Sequence, residues 1–171
     1  MILPDGISLL GVNMLFVSFT LFIVALNLAG KVGGKETAAF CILTGSVNAL
    51  SAIYNGFILG DTVSMAACFL FAFTYFFFAM NILKESDTYT GLGNYALGVA
   101  VTAAVYIYAS ITGGTYVLAF YWLLWGQLWA CFWIANGLKK NITKFLIGNT
   151  YFVVVVNFIG AIGFLFGWLA P

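Results

Sequence analysis

Between Asp61 and Lys84 the chain reads Val63-Ser64-Met65-Ala66-Ala67-Cys68-Phe69-Leu70-Phe71-Ala72-Phe73-Thr74-Tyr75-Phe76-Phe77-Phe78-Ala79-Met80-Asn81-Ile82-Leu83, without one charged side chain. A helix needs about 20 apolar residues to cross the hydrocarbon of a bilayer, and this stretch supplies them. It is apolar all round, with no polar face to offer water. Five further runs share the pattern: Ile7–Leu28, Thr37–Leu59, Gly91–Ile111, Thr115–Leu138 and Phe145–Leu169, none holding Asp, Glu, Lys or Arg. Barrel strands would alternate polar and apolar residues over about 10 positions, which these runs do not. The expected fold is therefore an all-α integral membrane protein of six transmembrane helices in a single transmembrane domain, residues 1–171.

Composition agrees. Of 171 residues, 64% are hydrophobic and 6% charged, against about a quarter charged in soluble domains. A net charge of +1 leaves no basic surface for nucleic acid. Histidine is absent and every basic residue is lysine. Cys41, Cys68 and Cys131 lie inside apolar runs, not at metal-ligand spacing. No metal site, cofactor or nucleophile–base pair is expected, so an enzyme is not. The first run lacks a basic flank and is too long for a signal-peptide core, so it reads as a retained span.

The connectors set the direction of the spans. Lys31 and Lys35 lie in the first, Lys84 in the third, and Lys139, Lys140 and Lys144 in the fifth. The second, Gly60-Asp61-Thr62, and the fourth, Thr112-Gly113-Gly114, hold none. Positive loops stay in the cytoplasm. The odd connectors are expected inside and both termini outside, with three helical hairpins spanning roughly 7–59, 63–111 and 115–169.

Those hairpins carry a degenerate repeat. Asn27, Asn81 and Asn136 stand 54 and then 55 positions apart near the inner ends of odd helices, and Asn48, Thr102 and Asn157 keep the same steps in even ones. Each first-set asparagine also suits a helix end, and each second-set residue suits an interhelical hydrogen bond. Three hairpins around an axis would place polar residues of one depth around a lumen. Trp122, Trp125, Trp129 and Trp133 fall in one sector of the fifth helix. They spread over too much depth for an interfacial belt, which Trp168 resembles better. Phe71, Tyr75 and Phe78, with Thr74 beside them, share a face of the third helix; Phe16, Thr20, Ile23 and Asn27 share one on the first. The repeat is expected to bring Thr20, Thr74 and Trp129 to one level. Rings with a few hydroxyl, amide and indole groups suit a small neutral solute. Carboxylates, which mark ion and proton paths inside membranes, are missing from the spans.

At these residues the sequence resembles the AmiS/UreI family of urea and short-chain amide channels. Phe71-Ala72-Phe73-Thr74-Tyr75 running on to Ala79-Met80-Asn81, and Trp122-Leu123-Leu124-Trp125-Gly126-Gln127-Leu128-Trp129, carry the likeness, with Asn27, Lys35, Thr37 and Gly45 fitting the first hairpin. The resemblance implies a pore in each protomer, a homohexamer in the lipids of a bacterial cytoplasmic (inner) membrane, and passive permeation of urea or small amides. It places pore-lining roles on Phe71, Tyr75, Trp122, Trp125, Leu128 and Trp129, on Asn27, and on Phe16 of the same face. With the faces above, the expected lining comprises Phe16, Thr20, Asn27, Phe71, Thr74, Tyr75, Trp122, Trp125, Leu128, Trp129 and Asn157. Asn157 stands where the best-known member has a glutamate, and the outer turns lack the long histidine-bearing loops of acid-gated members. A facilitator of another small polar solute, or a structural membrane subunit, are the alternative readings.

The lysine distribution makes a direct prediction. A reporter that works only in the cytoplasm is expected to be active when fused after Lys140 and silent when fused after Pro171; the reverse pattern contradicts the orientation.

Overall fold

The computed structural model describes residues 9–86 and 88–170. Asp5, Asp87, the first two residues of the expected first span and both chain ends lie outside the described residues. Six helices follow in order: α1 Leu9–Leu28, α2 Gly34–Ile53, α3 Thr62–Leu83, α4 Thr90–Thr112, α5 Tyr116–Phe132 and α6 Thr143–Leu165. One-turn π-helical segments extend α2 over Tyr54–Ile58 and α5 over Trp133–Gly137. Each helix, with its extension, is long and apolar enough to cross a membrane, and the protein is a multi-pass membrane protein.

Local chemistry sets the helix ends. α2 starts ahead of the expected Thr37 because Glu36 reaches back to accept the Gly33 N–H at 3.1 Å, while the Thr37 hydroxyl donates to the Gly33 carbonyl at 3.0 Å. Asp61 caps α3, its carboxylate accepting the Ser64 N–H at 2.9 Å. α1 ends in a left-handed turn at Gly30, with φ of 71°, where the Lys31 N–H returns to the Leu26 carbonyl. α6 closes in the same way at Gly167 and so stops at Leu165, short of the expected Leu169.

The helices stand in a ring in chain order, and α1 packs against α6 to close it. The most extensive packing joins α2 to α3, α4 to α5 and α6 to α1. The hairpins expected from the repeat, α1–α2, α3–α4 and α5–α6, are the looser neighbours. Small residues account for the close pairs, since in lipid helices associate through tight packing rather than burial from water. A Cβ at Gly11 would lie 3.0 Å from the Ala161 carbonyl oxygen of α6. One at Gly45 would lie 2.8 Å from the Phe76 ring, and one at Gly93 would strike the backbone of Gly137. The outward faces are apolar, with Leu43, Phe57, Val101, Val105 and Ile159 each more than half exposed, as a surface facing hydrocarbon requires.

Candidate functional site: a layered aromatic lumen

Two cavities lie inside the ring. The wide one, about 270 Å³, occupies the lysine-free end. The narrow one, about 10 Å³, lies further along the bundle between α1, α3 and α5. Much of their lining follows one rule. Leu10, Ser64 and Leu118 border the wide cavity, as do Met14, Cys68 and Trp122, and then Val17, Phe71 and Trp125. Leu21, Tyr75 and Trp129 border the narrow one, as do Val24, Phe78 and Phe132. Within each trio the members stand 54 positions apart. The three odd helices thus contribute equivalent residues to five successive layers. Along each helix the steps between layers are four, three, four and three, the spacing that holds one stripe of a helix toward a common axis. At about 1.5 Å per residue, the layers cover about 21 Å of depth.

The third and fourth layers separate the cavities. The Phe71 ring centroid lies 6.0 Å from that of Trp122, 5.2 Å from Trp125 and 6.3 Å from Trp129, so one phenyl ring touches three indoles. Trp122 and Trp125 meet edge to face at 5.2 Å. Such pairs add about 0.5–1.5 kcal/mol each beyond area burial.

One of these rings is fixed by a buried hydrogen-bond node. Trp125 Nε1–H donates to Asn157 Oδ1 at 2.8 Å. The Asn157 amide donates in turn to the Met14 carbonyl and to Ser18 Oγ, each at 2.8 Å. Asn157 is fully buried and ties α1, α5 and α6 together. Three other polar groups of the wall have no such partner. Tyr75 Oη, Trp122 Nε1 and Trp129 Nε1 are buried and make no hydrogen bond within the protein; Asn55 Oδ1 is the fourth unpaired buried side-chain atom among the described residues. An unpaired buried polar group costs about 1–3 kcal/mol, and native proteins retain few of them. All four belong to residues that border one of the two cavities.

Of the residues singled out from the sequence, Phe71, Trp122 and Trp125 border the wide cavity, and Thr74, Tyr75 and Trp129 the narrow one. Phe16, Thr20, Asn27, Leu128 and Asn157 border neither. Phe16 is 41% exposed. The Thr20 hydroxyl shares a hydrogen bond of 2.6 Å with Thr44, joining α1 to α2. The Asn27 amide donates to the Val32 carbonyl and braces the first turn. Thr20 also belongs with Thr74 and Leu128 by the 54-residue step, one position off the layer that holds Trp129. The register changes only after α5, where the π-helical turn Trp133–Gly137 takes up one extra residue. Asn136 lies within that turn and Asn157 follows it, which is why their steps are 55, whereas Trp129 precedes it.

Sequence reasoning missed Asn13, Asn55, Cys68 and Tyr106. Asn13 and Asn55 both turn their amide nitrogens to Cys68 Sγ, at 3.5 and 3.6 Å, and Ser51 donates to Asn13 Oδ1 at 2.8 Å. Asn55 lies on the π-helical turn after α2, a distortion frequent at functional sites. Tyr106 stacks on Trp122 at 4.2 Å and 22°. Among the described residues no cluster of His, Cys, Asp or Glu could hold a metal ion.

A ring of membrane-crossing helices around axial cavities suits a membrane transporter. Residues 9–168 match the model of the AmiS/UreI family transporters, and the chain belongs to that family; it is a transporter rather than an enzyme. Its fold is that of the Helicobacter pylori urea channel. The closed-state electron cryomicroscopy structure of that channel aligns with a TM-score of 0.82 at 24% identity, covering 94% of this chain and 100% of the other. The crystal structure of the urea channel from the same organism gives 0.81 at 24% identity, covering 94% and 99%. No curated protein sequence matches the chain.

The Asn157 node has a measurable consequence. Asn157→Leu removes three interhelical bonds of about 0.6–2 kcal/mol each and frees the Trp125 ring. It is expected to lower the thermal midpoint in detergent markedly. Thr102→Ala, which loses only a bond to Gly98 in its own helix, is expected to leave it unchanged.

Proposed function

We propose that the protein is a passive channel for urea or small neutral amides across a bacterial cytoplasmic membrane, with both chain ends outside and six copies in a ring. The observation that carries this reading is the pairing of an unmatched phenol and an unmatched indole, Tyr75 and Trp129, in one layer of the narrow cavity. The indole N–H can only donate, and the phenol can donate or accept. Both atoms are covered by the surrounding rings; once those rings part, a solute with a carbonyl oxygen and N–H groups satisfies both, replacing part of the hydration it sheds. The narrow cavity has room for about one water-sized group, so passage is single file. A purely structural subunit would gain nothing from leaving these groups unpaired. The urea channels that share the fold support urea as a solute.

The described lumen holds no acid or base. Among the described residues, the carboxylate nearest the wide end is Asp61. Burial raises its pKa, but hydrogen bonds from the Ser64 backbone and side chain and from the Val63 backbone outweigh it, and the balance lies below the ordinary carboxylate value. A lowered pKa gives stability that is complete above the unfolded value and is lost only as pH falls through the folded one. Asp61 therefore stays ionised above pH 5.

Purified protein in liposomes is expected to raise urea and acetamide influx well above glycerol influx in stopped-flow swelling assays. The rate is expected to be constant between about pH 5 and pH 8, where ordinary carboxylates remain ionised. No increase over empty liposomes removes the channel reading; faster glycerol than acetamide points to another polar solute. A reversible tenfold change across that range would reveal a gate.

A further inference from the structure

The two cavities differ greatly in size, and the wide one has two differently built walls. About 270 Å³ exceeds the roughly 150 Å³ of an apolar cavity that takes up benzene, far more than a urea molecule needs. One wall is polar: Asn13, Asn48 and Asn55 from α1 and α2 and its π-helical extension, with Cys68 of α3 among the amides. The other is aromatic: Phe71, Trp122 and Trp125, with Tyr106 stacked on Trp122. Asn55 and Trp122 each keep one unpaired polar atom, an amide oxygen that can only accept and an indole N–H that can only donate. Both side chains are at least 97% buried, being 3% exposed. Most of the other polar side chains on this lining are engaged. Asn13 bonds Ser51 and Cys68, Asn48 bonds the Thr44 carbonyl, Tyr106 the Val63 carbonyl, Thr115 the Ser110 carbonyl and Trp125 Asn157.

We propose that the wide cavity is a binding site for planar aromatic primary amides, which lodge against the Phe71–Trp122–Tyr106 rings and plug the lumen. A primary carboxamide carries the two complements required once the side chains turn these covered atoms toward the cavity: N–H for Asn55 Oδ1 and a carbonyl oxygen for Trp122 Nε1. An attached ring fills the aromatic side, where small-molecule sites commonly combine apolar walls with a few placed polar groups. The ring cannot follow a small amide onward, because the narrow cavity has only about 10 Å³ and the Phe71 cluster stands between. The binding half of this inference rests on the cavity alone; the plugging half rests on the channel reading.

Benzamide is the probe. Calorimetry on the detergent-purified full chain is expected to show saturable benzamide binding, with benzoate, which lacks the donor, and toluene, which lacks both partners, at least about tenfold weaker. Asn55→Leu and Trp122→Phe are each expected to weaken benzamide about tenfold. Asn55→Asp, which keeps an acceptor at that position, is expected to retain binding better than Asn55→Leu, and Tyr75→Phe, in the other cavity, is expected to bind like the parent. In liposomes that conduct urea, benzamide is expected to inhibit influx over the same concentration range. Absence of saturable binding, or binding unaffected by both Asn55→Leu and Trp122→Phe, overturns the site. Binding without inhibition in conducting liposomes overturns the plug. Saturable, variant-sensitive binding by a protein that passes no urea upholds the site while removing the channel reading.

Discussion

Closing a ring of helices in lipid requires joining the first helix to the last, and here one amide makes much of that join. Asn157 of α6 donates to Met14 and Ser18 of α1 and accepts from Trp125 of α5. Its partners lie 139 and 143 positions away in the first helix. Asn157 is fully buried and borders neither cavity, so solvent does not replace a bond it loses. The glycine contact of Gly11 against Ala161 brings the same two helices close enough for the amide to reach. Lumen geometry follows: with α1 and α5 held to α6, Val17, Phe71 and Trp125 meet in one layer, and Trp125 is turned to touch Phe71.

The second constraint is register. Trios from α1, α3 and α5 stack because each odd helix repeats the same four-three stripe 54 positions further along. Loops and even helices must therefore add up to the same length in both intervals, and they do; the π-helical turn after α5 lies beyond both. One extra residue there shifts everything downstream without disturbing the layers, all of which precede it. The turn after α2 has a different effect. It lies at the mouth of the wide cavity and places Asn55 beside Cys68, with an oxygen left unpaired.

Much of this was legible in the chain. The six spans follow from hydrophobic runs between charged connectors, and the aromatic lining of Phe71, Tyr75, Trp122, Trp125 and Trp129 from helical spacing within the third and fifth. The polar positions were not. Asn157, Thr20 and Asn27 appear in the sequence as polar residues in apolar helices, which is equally the signature of lumen lining and of helix joining. Helices apolar on every face give no preferred direction, so only the packing decides that Asn157 and Thr20 serve neighbouring helices and Asn27 a turn. Asn55 could not be placed because its orientation depends on a π-helical turn. Tyr106 was hidden because an even helix carries it, while the visible aromatic stripes lie on odd ones. The α2–α3, α4–α5 and α6–α1 pairings arise from particular glycine contacts, which hydropathy does not register.

In the proposed channel, the unpaired phenol and indole of the fourth layer serve a passing solute. Urea influx into liposomes bearing equal amounts of folded Tyr75→Phe, Trp129→Phe and Trp168→Phe variants tests it most directly. Trp168 is 74% exposed at the end of the chain beyond α6 and serves as the reference. Loss of one hydrogen bond in the narrow layer predicts influx reduced severalfold to about tenfold in each of the first two variants, with Trp168→Phe equal to the parent. Equal rates in all four proteins would contradict the account, leaving Tyr75 and Trp129 as packing residues whose polar atoms play no part in transport.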